Sequence, residues 1–75
     1  MSDLPSLTPK KVLRALKKAD FYIHHQRGSH IYLKHPESPD LLLVVPNHPR
    51  DLKKGTLSGI IKRSGLSIEE FKGFL

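Results

Sequence analysis

Seventy-five residues leave room for one domain, predicted over 1–75, because a second unit would leave neither half a core. Thirteen Lys and Arg against seven Asp and Glu give +6 with His neutral, a surface that attracts polyanions, with nucleic acid the first class of partner and acidic proteins the next. The absence of Cys excludes disulfides and thiolate metal sites, and the longest apolar run, Leu41 to Val45, is too short for a signal core or a membrane span, so the expected location is cytoplasmic.

Thr8-Pro9 reads as an N-cap followed by Pro at the first helical position, and Val12, Leu13, Leu16 and Ala19 recur at helical spacing, which predicts a helix over 9–19. Its remaining faces carry Lys10, Lys11, Arg14, Lys17 and Lys18. The alternation of Phe21, Ile23 and His25 with Tyr22, His24 and Gln26 predicts a strand over 21–26. Arg27-Gly28-Ser29 turns the chain into a second strand, His30 to His35, with Ile31 and Leu33 on one face and His30, Tyr32 and Lys34 on the other. Pro36 to Pro39 reads as the next turn. Leu41 to Val45 is a third strand whose nearly continuous apolar run points to a central or well-covered position.

Two prolines make Pro46 to Arg50 a loop. Leu57, Ile60 and Ile61 mark a second helix that Ser64-Gly65 stops, and Ser67 with Glu70 forms a capping box for a short terminal helix. The order α-β-β-β-α-α predicts an α+β fold: a three-stranded antiparallel sheet with helices over one face, the other left open as a docking surface.

Three separated motifs, in this order, carry a resemblance: Arg27-Gly28-Ser29-His30, Val45-Pro46-Asn47-His48, and Leu52-Lys53-Lys54-Gly55-Thr56-Leu57 running on through Gly65 to Phe71. The chain resembles the HicA toxin family over nearly its whole length. The resemblance implies a fold like that of double-stranded-RNA-binding domains, an mRNA endonuclease activity that works without the ribosome, and neutralisation by a HicB antitoxin. It also implies that His30 is the catalytic residue. The chain departs from the family pattern at Asp20, where members often have Gly, and at Ile31, where a second His is frequent.

The residue chemistry agrees with that implication. Metal-free RNA cleavage needs a base for the 2′-hydroxyl proton and an acid for the leaving 5′-oxygen, and imidazole titrates in the range suited to either. A His set just after a Gly-Ser turn projects from the edge of a hairpin, where Ser29 and the turn N–H groups of Gly28 can approach a phosphate and Arg27 can offset developing charge. His48, held between Pro46 and Pro49, is the candidate second group; the alternative is a hydrogen bond that fixes its loop. His24, His25 and His35 are weaker candidates. The His spacings match no metal-ligand pattern, so no metal or cofactor is expected.

Lys53 and Lys54 fall at the start of the second helix, where free N–H groups already favour phosphate. By analogy of fold, Lys10, Arg14 and Lys17 join the RNA-binding set, and Tyr22 and Tyr32 are candidates to stack on bases if they lie on the open face. Two readings compete with the ribonuclease: a non-catalytic RNA-binding module of the same fold, and a basic module that binds an acidic protein.

Overall fold

The computed structural model describes residues 4–75; the first three residues of the predicted 1–75 unit lie outside the described residues. Helix α1, Pro9–Lys18, starts at the predicted cap: the Thr8 hydroxyl accepts from the Lys11 N–H at 3.4 Å, and Pro9 has no N–H to leave unpaired. Val12, Ala15 and Leu16 are buried along one stripe while its five Lys and Arg side chains are exposed.

The helix stops one residue before the predicted end. Asp20 takes φ +74, and the Asp20 N–H to Lys17 O and Phe21 N–H to Leu16 O bonds, both 3.0 Å, close a Schellman motif. That left-handed backbone strains Asp20, whereas Gly, with no Cβ to oppose it, adopts it freely.

Strands β1, Tyr22–Arg27, β2, His30–His35, and β3, Ser38–Pro46, form one antiparallel sheet in the order β1-β2-β3. Gly28 at φ +57 and Ser29 make the two-residue turn between β1 and β2, a Gly-first hairpin connection whose twist matches the strands. Helices α2, Lys54–Ser64, and α3, Ile68–Gly73, follow. Gly65 ends α2 at φ +83, and α3 carries the full capping box, with Ser67 N–H to Glu70 Oε1 at 2.8 Å and Glu70 N–H to Ser67 Oγ at 3.0 Å. This α-β-β-β-α-α order is the α+β arrangement of the double-stranded-RNA-binding-domain-like fold.

One face of β2 and β3 supplies Ile31, Leu33, Leu43 and Val45 to a core completed by Val12 and Leu16 of α1, Leu57, Ile60 and Ile61 of α2, and Phe71 of α3. No polar or charged side chain is buried among the described residues.

Three expectations need correction. The alternation predicted for the first strand fails because a bulge falls between Ile23 and His25: β1 is exposed along its whole length, and only Phe21, just before it, enters the core. The third strand is an edge rather than the centre, for two short hairpins place β2 in the middle. Its apolar run is partly shielded by α2, whose Arg63 Nε donates to the outward-facing Leu42 O at 3.0 Å. Finally, the second turn is only Pro36-Glu37, and Ser38, Pro39 and Asp40 already belong to β3. An edge strand tolerates the missing N–H of Pro39.

Candidate nucleic-acid interface

His30 opens β2 and is exposed, with Arg27 across from it on β1 and Pro46 across from it on β3. Strand alternation, unbroken between His30 and Leu33, sends Ile31 and Leu33 into the core and leaves His30 and Tyr32 on the open face. The preceding turn is braced by Gln26 Nε2, which donates to Gly28 O at 3.3 Å.

Two backbone bonds bring distant segments to this end of the molecule. The Asn47 N–H donates to Ser29 O at 2.6 Å, fastening the β3–α2 loop to the turn that carries His30. The Leu52 N–H donates to Leu7 O at 2.8 Å, fastening the same loop to the segment that leads into α1. A shallow depression of about 480 Å³ is lined by Thr8, Lys10, Asn47, His48 and Pro49, and a second, of about 380 Å³, by His48, Arg50, Asp51 and Lys53. His48 thus stands between the N-termini of α1 and α2.

Both helices begin without an acidic residue in the first turn, and Lys53, the N-cap of α2, gives no side-chain hydrogen bond to the free N–H groups behind it. The positive ends of two helix dipoles therefore add to Lys10, Arg50, Lys53 and Lys54, with Asp51 the one carboxylate lining these depressions. An anion is the species this end attracts.

The candidates divide accordingly. Arg27, Gly28, Ser29 and His30 share the turn, while His48 and Lys53 share a depression, and Lys54 follows Lys53 at the first position of α2. His48 makes the loop-fixing bond: its Nδ1 accepts from the Arg50 N–H at 3.2 Å, which leaves the neutral ring with its proton on Nε2. His35 lies at the opposite end of β2 and is fully engaged, Nδ1 with the Glu37 N–H and Nε2 with Ala19 O, both at 3.1 Å, and its ring meets Phe21 edge to face. His24 and His25 sit on β1. Asn47, part of the Val45-Pro46-Asn47-His48 motif, and Arg50 had no role assigned from the sequence; their backbone N–H groups fasten the loop to Ser29 and to His48.

A protein-family model described as "HicA toxin of bacterial toxin-antitoxin" matches residues 9–66, from the first residue of α1 to just beyond the glycine that ends α2. This chain belongs to the HicA toxin family. It is accordingly the toxin of a toxin–antitoxin system, and its partner is an antitoxin. The curated proteins compared with the chain include no match. Every residue of the basic end except Leu7 and Thr8 falls within the matched segment, and no helix among the described residues is long and apolar enough to cross a membrane.

Proposed function

We propose that this HicA-family toxin is a metal-independent mRNA endonuclease in which His30 acts on the scissile ribose phosphate, and that a HicB antitoxin neutralises it by covering His30 and the basic end. The observation that carries the reading is the Asn47–Ser29 backbone bond, because it joins an exposed imidazole to two helix N-termini that have no acidic residue in the first turn, in one predominantly basic rim.

In this mechanism neutral His30 takes the 2′-hydroxyl proton as the 2′-oxygen bonds to phosphorus; the P–O5′ bond breaks, and the 5′-oxygen leaves with a proton from water. The products are a 2′,3′-cyclic phosphate and a 5′-hydroxyl end. Arg27 and the turn N–H groups of Gly28 and Ser29 stabilise the charge that builds on the phosphoryl oxygens. Lys53, Lys54 and the start of α2 hold the neighbouring phosphates. His48 donates from Nε2 to a phosphate oxygen rather than transferring a proton, since protonating Nδ1 would break its bond to Arg50.

The test is end-group analysis of RNA incubated with the purified chain and a chelator. Wild type yields cyclic-phosphate ends and His30→Ala loses about a hundredfold or more in rate. Cleavage undiminished in His30→Ala removes His30 from the mechanism, and salt-sensitive binding without any product favours the non-catalytic module.

A further inference from the structure

We infer that the open face of the sheet holds RNA as a single strand, with the base beside the scissile phosphate stacked on the Tyr32–His25 pair. This rests on the nuclease reading above and adds to it the form of the RNA and the residues that grip a base.

Tyr32 and His25, on neighbouring strands, are already stacked: their ring centroids are 4.3 Å apart and their planes differ by 11°. His25 is also held by His24, the two Nδ1 atoms being 2.7 Å apart and the rings 5.0 Å apart at 75°. The pair thus forms a flat surface, one face of Tyr32 covered by His25 and its β3 side flanked by the neighbouring strand. There the residue opposite is Val44, 37% exposed. A fixed aromatic face beside an exposed apolar side chain is what an unstacked base requires, and a duplex, whose bases are turned inward, cannot use it.

Position ties this surface to the chemistry. Tyr32 stands two residues from His30 on the same strand and the same face, a separation of about 7 Å, roughly one nucleotide step. Arg27 pairs across from His30 and Lys34 across from Tyr22, so cations border the aromatic pair along the hairpin. The acidic residues nearest in the sheet, Glu37 and Asp40, lie at the far β2–β3 end. Cations at the border and π surface at the centre fit a phosphodiester strand with its bases turned toward the sheet.

The probe is a single-stranded 2′-O-methyl oligoribonucleotide, which lacks the hydroxyl that cleavage needs, compared with the same strand annealed to its complement. In the Tyr22→Phe chain Tyr32 is the only tyrosine and there is no Trp, so intrinsic fluorescence reports on the stack. The single strand quenches that emission and the duplex does not. Tyr32→Leu weakens single-strand binding about tenfold, Tyr32→Phe leaves it unchanged, and His25→Ala, a substitution at an exposed side chain, weakens it in the same direction by a smaller factor. Circular dichroism confirms that each variant is folded.

Wild-type affinity in both Tyr32→Leu and His25→Ala overturns the inference, as does equal binding and quenching by the duplex. Quenching of Tyr32 by the antitoxin but not by the strand also overturns it, because the face then belongs to a protein. If His30-dependent cleavage of ordinary RNA persists alongside any of these results, the base platform is lost and the nuclease stands. A wild type that neither binds the strand nor cuts RNA sinks both.

Discussion

The two faces of β2 are built by alternating residues of one six-residue strand, yet they obey different rules. Ile31 and Leu33 point into the core and are 4% and 0% exposed, whereas His30 is open to solvent and Tyr32 is half-buried on the other side. What lies beyond each face explains the division. The inner face joins the core cluster built with α1, α2 and α3; His30, Tyr32 and Lys34 of the outer face do not belong to it. A small domain with few apolar residues can close only one side of a sheet, and the side left open becomes the one on which polar and aromatic groups can meet a ligand.

The sharpest way to break that comparison is to truncate a neighbour of His30 rather than His30 itself. Leu33→Ala removes a fully buried side chain and costs about 2–5 kcal/mol, a large part of the roughly 5–15 kcal/mol that holds a domain together. Urea titration of this variant shows a midpoint far below that of wild type, or no folded baseline. His30→Ala, three positions earlier and on the outer face, changes the unfolding free energy from the same titration by no more than about 0.5 kcal/mol while removing the proposed cleavage. Equal destabilisation by the two substitutions would erase the distinction between the faces.

How much of this was legible in the letters depends on the range of the interaction that decides each feature. Thr8-Pro9, the Ser67–Glu70 box, Gly65 and the Gly28 turn are fixed by contacts within a few residues, and each stands where the sequence puts it. The faces of β2 follow from simple alternation. β1 was misread because a bulge inserts one residue and reverses the alternation after Ile23, and no local signal marks it. The edge position of β3 did have a signal: Pro39, taken for a turn residue, is a strand residue of the kind confined to edges. For the candidate site, the Gly-Ser-His turn was visible but its assembly was not. The Asn47–Ser29 and Leu52–Leu7 bonds join segments far apart in sequence, and the Nδ1 bond that decides the tautomer of His48 depends on how its loop folds back.

A gentler variant strengthens the closed side without touching the open one. Asp20 holds a left-handed conformation at the C-terminal end of α1, where its charge also opposes the helix dipole. Asp20→Gly relieves both and stabilises the fold by about 1 kcal/mol, seen in a thermal melt as a rise in Tm of roughly 4–8 °C. RNA binding and cleavage stay as in wild type. A fall in Tm would mean that the Asp20 side chain makes a compensating contact that outweighs its backbone strain.

The smallest effect belongs to α3, which closes the core through Phe71 and is held at its start by the capping box. Hydrogen bonds from the Ser67 backbone N–H first, and from its side chain second, hold the Glu70 carboxyl below its ordinary value near 4.5. Because the folded value is the lower one, the bond stabilises α3 fully above that ordinary value, and the gain is lost as the pH falls through the depressed folded value. Wild type should therefore exceed Glu70→Ala slightly in Tm at pH 7, and the difference should narrow as the pH falls below 4.5. A Tm difference as large at pH 3 as at pH 7 would mean that Glu70 supports α3 by packing or helix propensity, not through its charge.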